Sequence, residues 1–431
     1  MNPMNRQLPE DFMQLALTAM GDERFARFRD ALDEEPPVSI RLNPLKTKSM
    51  RPVDGAVVPW CNEAFYLPSR PNFTFDPLLH AGCYYVQEAA SMFIDLIVRQ
   101  HIPHPVTMLD LCAAPGGKST ALLAALPEGS RLVSNEPVRQ RFQVLSENLA
   151  KWGHEGSIAV NRYPADFRRD GFLFDAILCD VPCSGEGMFR KDPNAIGEWS
   201  LENVERCWRL QREIVGDAWQ CLVPGGLLIY STCTFNTLEN EENIRWMQRE
   251  LGAEVLPVET KEEWGITGSL LPGFTAPVYR FIPGLTRSEG LFMCVMRKPS
   301  DFVQRPCTKR TSPVYETYNA DVRNSKGNKK GIAKAPKDEV PQPGEALLAD
   351  GPEARWPKVD VDYATAVAYL RRQSIVLPPD VPRGFVVVSF QGHALGFAKN
   401  IGQRANNLYP KEWAIRSTYV PDGYSPVLLP V

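Results

Sequence analysis

Apolar residues recur at helical spacing over residues 8–32, where Phe12, Leu15, Ala16 and Met20 are followed by Phe25, Phe28 and Leu32. Pro36 and Pro37 end that helix, because proline lacks the amide hydrogen and fixes its own φ. VSIRLNPLK is strand-like as far as Asn43-Pro44, and residues 52–82, rich in proline and aromatics, predict irregular strands and loops. From about 105 to 298 the pattern changes to strands alternating with helices. The strands are VTMLDLCA, SRLVSNE, FDAILCDVP, GGLLIYSTC and GLFMCVMRK, with helices at 116–126, 137–151, 201–221 and 238–250. Each central run is apolar on both faces, the mark of a parallel sheet covered by helices on both sides, so a doubly wound α/β domain is predicted.

Residues 299–345 are poor in apolar side chains and rich in Lys, Gly, Asn and Pro, which predicts a flexible linker. Between 305 and 337 nine Lys/Arg stand against two acidic residues. The tail, 346–431, shows one helix (VDYATAVAYLRR) and one strong strand (GFVVVSF), fitting a small α+β or barrel-like module. A chain of 431 residues is long enough for two or three domains. No apolar run is long enough to span a bilayer, and the first residues lack a signal-peptide core. Ten cysteines, several inside apolar runs, predict buried thiols and a cytoplasmic protein. The net charge of −3 does not by itself indicate nucleic acid.

The chemistry begins where VTMLDLCA ends in AAPGGKST, at the carboxyl end of a strand, where open α/β sheets bind ligands. Gly116 and Gly117 let the backbone approach a ligand, and the amides of the following helix face an anion. A phosphate loop needs a glycine four residues clear of the Gly117-Lys118-Ser119 triplet, and Cys112 occupies that position. Adenosyl binding is the remaining reading. Glu136, at the end of the next strand, stands where a carboxylate accepts both ribose hydroxyls.

Two further strands end in Asp180-Val-Pro-Cys183 and Thr232-Cys233, on the same edge as the glycine turn. Carbon 5 of a pyrimidine is a poor nucleophile. A thiolate adding to carbon 6 makes the ring an enamine whose carbon 5 attacks an electrophilic methyl, and Asp180 is placed to hold the ring's polar edge. Free cysteines also serve simply as small buried hydrophobes, and the residues alone leave open which thiol would do what. A metal site of Cys112, Cys179, Cys183 and Cys233 fits no zinc spacing, so no metal is expected.

These segments resemble a family. SIRLNPLK (39–46), YYVQEAAS (84–91), LDLCAAPGGKST (109–120), DVPCSGEGMFRKDP (180–193), YSTCTFNTLENEENI (230–244) and GFAKNIGQRANNLYP (396–410) are similar to bacterial RNA cytosine-5 methyltransferases of the Nol/Nop/Sun group, in particular its small-subunit ribosomal RNA members. The resemblance implies a Rossmann-like S-adenosylmethionine-dependent methyltransferase domain at 105–298. It also implies an N-terminal RNA-binding region at 1–104 and a C-terminal PUA-like RNA-binding domain at 346–431. Cys233 would be the nucleophile, and Cys183 would assist release of the methylated RNA. Cys112, Ala113, Ala114, Pro115, Gly116, Gly117, Lys118, Glu136, Asp166 and Asp180 would surround S-adenosylmethionine. Arg41 and Asn43 would contribute to the RNA-side surface. Phosphates would meet the 305–337 segment with Arg383, Lys399, Arg404, Lys411 and Arg416. Trp60, Phe65 and Tyr66 are candidates to stack bases, although core packing is the commoner fate of such residues. The expected partner is ribosomal RNA, free or within the small subunit, and the expected state a monomer without membrane attachment. Transfer RNA is the alternative substrate, and a non-catalytic assembly factor the alternative class.

Overall fold

The computed structural model describes residues 8–302, 340–348, 356–417 and 419–430. The basic run 305–337 therefore lies outside the described residues.

The first helix, α1 (Glu10–Leu32), is broken at Gly21, whose φ of 73° interrupts the helical backbone. Its buried residues, Phe12, Ala16, Met20, Phe28 and Leu32, follow the predicted spacing, while Leu15 is exposed. It packs against two loops discussed below: Phe12 meets Phe189 and Trp199 edge-on, and Phe28 meets Phe235 at 4.8 Å. The segment read as irregular is more regular than predicted. β1 (Val38–Leu42), β2 (Met50–Pro52), β3 (Ala56–Val58), β4 (Cys61–Leu67) and β5 (Tyr84–Val86) follow, and four of them form an antiparallel sheet in the order β3-β4-β1-β5.

Trp60, Phe65 and Tyr66 lie buried within the protein's cores. Their rings are therefore spent on packing, the commoner of the two fates expected of them, and not on stacking RNA bases. Arg41 and Asn43 are likewise fully buried, so they form no RNA-side surface. The Arg41 guanidinium donates to Thr120 Oγ1 (2.6 Å) and Gln87 Oε1 (3.0 Å) and lies over the Trp152 ring. Asn43 Nδ2 donates to the carbonyls of Gly82 and Trp152. Both side chains bolt the N-terminal sheet to the next domain, where unpaired backbone carbonyls would be costly.

α2 (Pro77–His80) lies between β4 and β5, and the next domain runs through α3 (Phe93–His101), β6 (Thr107–Asp110), α4 (Gly117–Ala125), β7 (Arg131–Asn135), α5 (Arg139–Trp152), β8 (Ser157–Val160), α6 (Pro164–Asp170) and β9 (Phe174–Asp180). It continues with α7 (Pro193–Glu198), α8 (Leu201–Gln220), β10 (Leu222–Thr232), α9 (Glu241–Glu250), β11 (Glu254–Leu256), β12 (Tyr279–Phe281) and β13 (Leu291–Arg297). The sheet order is β11-β13-β10-β9-β6-β7-β8, with β12 paired to β13. Strands β6 to β10 are mutually parallel, and chain order reverses between β6 and β9. β13, predicted as one of the parallel set, is antiparallel to β10, β11 and β12. A strand buried on both faces looks the same in sequence whichever way it runs.

In the tail, β14 (Lys358–Asp360), β15 (Gly384–Phe390), β16 (His393–Asn400) and β17 (Ala405–Asn407) form a four-stranded sheet with the helix Tyr363–Leu370. Its apolar residues do not close a core alone: Val388, Leu395, Tyr409 and Leu428 share one with Ile40, Leu42, Phe73 and Tyr84 of the N-terminal region. β18 (Leu428–Pro430) leaves the tail to pair with β2. Pro343–Leu347 forms a 3-10 turn in which Leu347 is buried and Ala346 packs against Val387 and Phe397. No helix among the described residues is long and apolar enough to cross a membrane.

Candidate active site

β6 ends at the fully buried Asp110, and the turn 111–116 leads into α4 through Gly116, whose φ of 114° favours glycine. Neighbouring side chains hold the turn. Asn135 Nδ2 donates to Leu111 O, Arg141 to Ala114 O, and Asn148 Nδ2 to Pro115 O (2.8 Å). Cys112 lines the same turn, and burial pushes its thiol pKa up.

Two carboxylates face this turn with an oxygen unused. Asp110 Oδ2 accepts from Ser119 Oγ at 2.6 Å, while its Oδ1 is buried without a hydrogen-bond partner. Burial pushes the Asp110 carboxyl up to about 7 against the pull of the Ser119 hydroxyl. Glu136 Oε1 accepts from Val138 N, and Oε2 is buried with no hydrogen bond, 3.4 Å from Arg141. Unused buried acceptors at adjacent strand ends fit a ligand carrying an ammonium group and ribose hydroxyls. Asp166 differs: at the start of α6 it accepts from Tyr163 N and pairs with Arg169 at 2.7 Å.

The second half of the site stands on β9 and β10, where Ser231 is in register with Asp180. Asp180 Oδ2 pairs with Lys118 Nζ at 2.9 Å. Burial opposes the Lys118 charge, but Asp180 outweighs it and holds the ammonium above its ordinary range. Beyond these strand ends Cys183 Sγ and Cys233 Sγ lie 3.2 Å apart. The contact with Cys233, with burial, drives the Cys183 thiol well above its usual value. Cys233 is within electrostatic reach of the Lys118 ammonium. The two loops touch closely: Gly187 N donates to Cys233 O at 2.7 Å, and a Cβ on Gly187 would sit 2.7 Å from that oxygen.

The turn 112–118, Glu136, Asp180, Cys183 and Cys233 thus gather on one sheet edge, as the sequence predicted. Sequence reasoning passed over Asp110, Glu186 and Glu239, although each stands inside a quoted segment. A carboxylate within an apolar strand end or a glycine turn was the available signal.

A groove of about 1240 Å³ lies nearby, bordered by residues 33–39, 67–70 and 284–289. Its walls mix Arg70, Arg190, Lys191 and Arg287 with Asp33, Glu34, Glu35, Glu88 and Glu289, so charge alone does not make it a phosphate track. Among the described residues no three or more His, Cys, Asp or Glu side chains converge as a metal site. Arg383, Lys399, Arg404, Lys411 and Arg416 are all exposed on the tail.

A parallel sheet whose order reverses beside a glycine turn, with a buried carboxylate oxygen lacking a hydrogen bond at each of two adjacent strand ends, defines a Rossmann-like methyltransferase. Comparison with known proteins gives the particular family. Residues 102–297 match "16S rRNA methyltransferase RsmB/F", residues 8–89 the "N-terminal domain of 16S rRNA methyltransferase RsmF", and residues 357–415 the "Methyltransferase RsmF PUA domain". The chain belongs to the RsmB/F methyltransferase family. Ribosomal RNA small subunit methyltransferase F of Pectobacterium atrosepticum is 36% identical over 251 residues, 56% of this chain but only 50% of that protein. The protein of the same name from Aeromonas salmonicida is 28% identical over 95% of this chain and 97% of its own length. Among solved structures, a methyltransferase homologue from Pyrococcus horikoshii is 24% identical with a TM-score of 0.55, covering 68% of this chain and all of its own. NSun6 from the same organism, solved with SFG, is 20% identical with a TM-score of 0.57, over 69% of this chain and all of its own. Both show the fold.

Proposed function

We propose that this enzyme methylates carbon 5 of a cytosine in small-subunit ribosomal RNA, using S-adenosylmethionine and a covalent bond from Cys233 to the base. The observation that carries the reading is the pair of thiols 3.2 Å apart beside the Lys118–Asp180 ion pair. The names of the relatives support ribosomal RNA as substrate.

Residues 112–118 with Glu136 form the cofactor cradle, Glu136 Oε2 taking a ribose hydroxyl and Asp110 Oδ1 the ammonium group. Asp166, whose oxygens are engaged locally, shapes the neighbouring loop. When bound, S-adenosylmethionine supplies an electrophilic methyl group. Cys233, as thiolate beside Lys118, adds to carbon 6 and forms a carbon–sulfur bond, which makes carbon 5 nucleophilic. Asp180 accepts from the polar edge of the ring, with Lys118 holding its other contact at 2.9 Å. After carbon 5 has gained the methyl group its proton is lost to solvent, the electron pair left behind re-forms the ring double bond, and the carbon–sulfur bond breaks to return the Cys233 thiolate, with Cys183 assisting at this release. The N-terminal region 1–104 and the PUA-like unit 346–431 serve as RNA-binding parts, with the exposed Arg383, Lys399 and Arg404 as phosphate contacts. The target base leaves any helical stack to reach the thiols. A cytoplasmic location follows from a ribosomal substrate.

With tritiated cofactor and total RNA, label is expected in small-subunit ribosomal RNA at carbon 5 of cytosine. Cys233→Ala is expected to abolish it, and Cys183→Ala to accumulate an RNA–protein adduct that survives a denaturing gel. Full activity of Cys233→Ala, or label confined to transfer RNA, would overturn the reading.

A further inference from the structure

Two buried carboxylates outside the roles above connect the cysteine loops, and they do so crosswise. Glu186 belongs to the Cys183 loop, yet its Oε2 accepts the backbone N–H groups of Phe235 and Asn236, just beyond Cys233, at 2.5 and 3.0 Å. Its Oε1 takes Trp199 Nε1 and Asn236 Nδ2. Glu239 follows Cys233 in the chain, yet its Oε2 accepts Ser184 N, immediately after Cys183, at 3.0 Å. The same oxygen takes Gln211 Nε2 at 2.6 Å, and Oε1 takes Asn236 Nδ2 at 2.8 Å. Gln211 also donates to Pro182 O, on the other side of Cys183.

Each loop is thus held by an acid from the opposite one, with the Asn236 amide between them. Both acids are almost completely inaccessible, at 1% and 0%. Burial of Glu239, with the Glu186 charge beside it, pushes its carboxyl up to about 7. This opposes folding, so simple packing would be served better by apolar side chains. Every partner of either acid is a donor. A glutamine at either position would turn its own N–H groups towards another donor and lose one side of the brace.

Building on the cytosine-5 reading above, we propose that Glu186 and Glu239 are positioning residues with separate tasks. Glu186 aims Cys233 for bond formation to the RNA, and Glu239 aims Cys183 for release. The reacting sulfurs are displaced differently when each is lost, and misplacement on the order of 1 Å slows a reaction about a hundredfold.

The test is a single-turnover measurement on the full chain with ribosomal RNA and tritiated S-adenosylmethionine, following adduct formation and adduct decay separately on denaturing gels. Glu186→Gln is expected to slow formation at least about tenfold and leave decay within about threefold. Glu239→Gln is expected to do the reverse and to accumulate adduct. Affinity for S-adenosylmethionine, unchanged within about twofold, verifies the fold of each variant. Should Glu239→Gln not fold, Gln211→Met, which removes the 2.6 Å donor to Glu239, is expected to show the same bias towards slow decay. Equal slowing of both steps, or none, overturns the proposal. Absence of adduct and of methylated cytosine in the wild type would instead overturn the cytosine-5 reading, and the division of tasks with it.

Discussion

Replacing Glu136 by alanine tests the cofactor half of the site most directly. The side chain is 1% exposed, Oε1 is engaged with Val138 N, and only Oε2 is left to receive a ligand. A hydrogen bond to a charged acceptor is worth about 1.5–3 kcal/mol. In the free protein the half-exposed Arg141 already attracts that oxygen from 3.4 Å, which offsets about 0–1 kcal/mol. The net loss is then about 0.5–3 kcal/mol, or roughly twofold to 150-fold in Kd. Titration calorimetry with S-adenosylmethionine measures it, with thermal unfolding of the unliganded variant as the control for folding. Asp166→Ala is the companion: its oxygens are satisfied by Tyr163 and Arg169, so affinity within about threefold of wild type is expected. Wild-type affinity in Glu136→Ala, or a larger loss in Asp166→Ala, would refute the reasoning.

Asp110 holds its proton in the folded state up to about pH 7 but releases it near 3.8 when unfolded. The folded protein therefore binds the extra proton between those values, and stability falls as pH rises through that window. Asp110→Asn is expected to flatten the fall in melting temperature between about pH 5 and 7; an unchanged slope would contradict the assignment. Glu241 and Arg280 form a fully buried pair, with Arg280 also holding Phe235 O at 2.7 Å. Glu241→Ala strands that charge and is expected to lose about 3–5 kcal/mol in urea unfolding, whereas a loss under about 1 kcal/mol would show the pair to be dispensable. Finally, Cys183 and Cys233 at 3.2 Å need about 1.2 Å of approach to form a disulfide. Diamide is expected to remove two thiols and the activity together, both restored by dithiothreitol, and Cys183→Ala to abolish the loss of thiols.

Much of the methyltransferase sheet was legible because each strand and helix announces itself locally. LDLCAAPGG and DVPCSGEG place a strand end, a glycine turn and a reactive group within a dozen residues, so the side of the sheet they share follows from the parallel pattern alone. Prediction failed where one segment's environment is made by another distant in sequence. Arg41, Trp60 and Tyr66 read as surface candidates, because nothing near them shows that Thr120, Ala89 and Arg287 receive their polar atoms. The direction of β13 was missed for a related reason, since burial on both faces carries no sign of polarity.

The sequence by itself therefore determined the class of domain, the glycine turn and the two thiols at strand ends, all properties of short contiguous segments. Only the tertiary structure decided that the thiols stand 3.2 Å apart, that Glu186 and Glu239 exchange loops to hold them, and that the tail completes the N-terminal core. A hydrophobic period says which face of an element is buried, whereas the partner it is buried against is chosen when the whole chain packs.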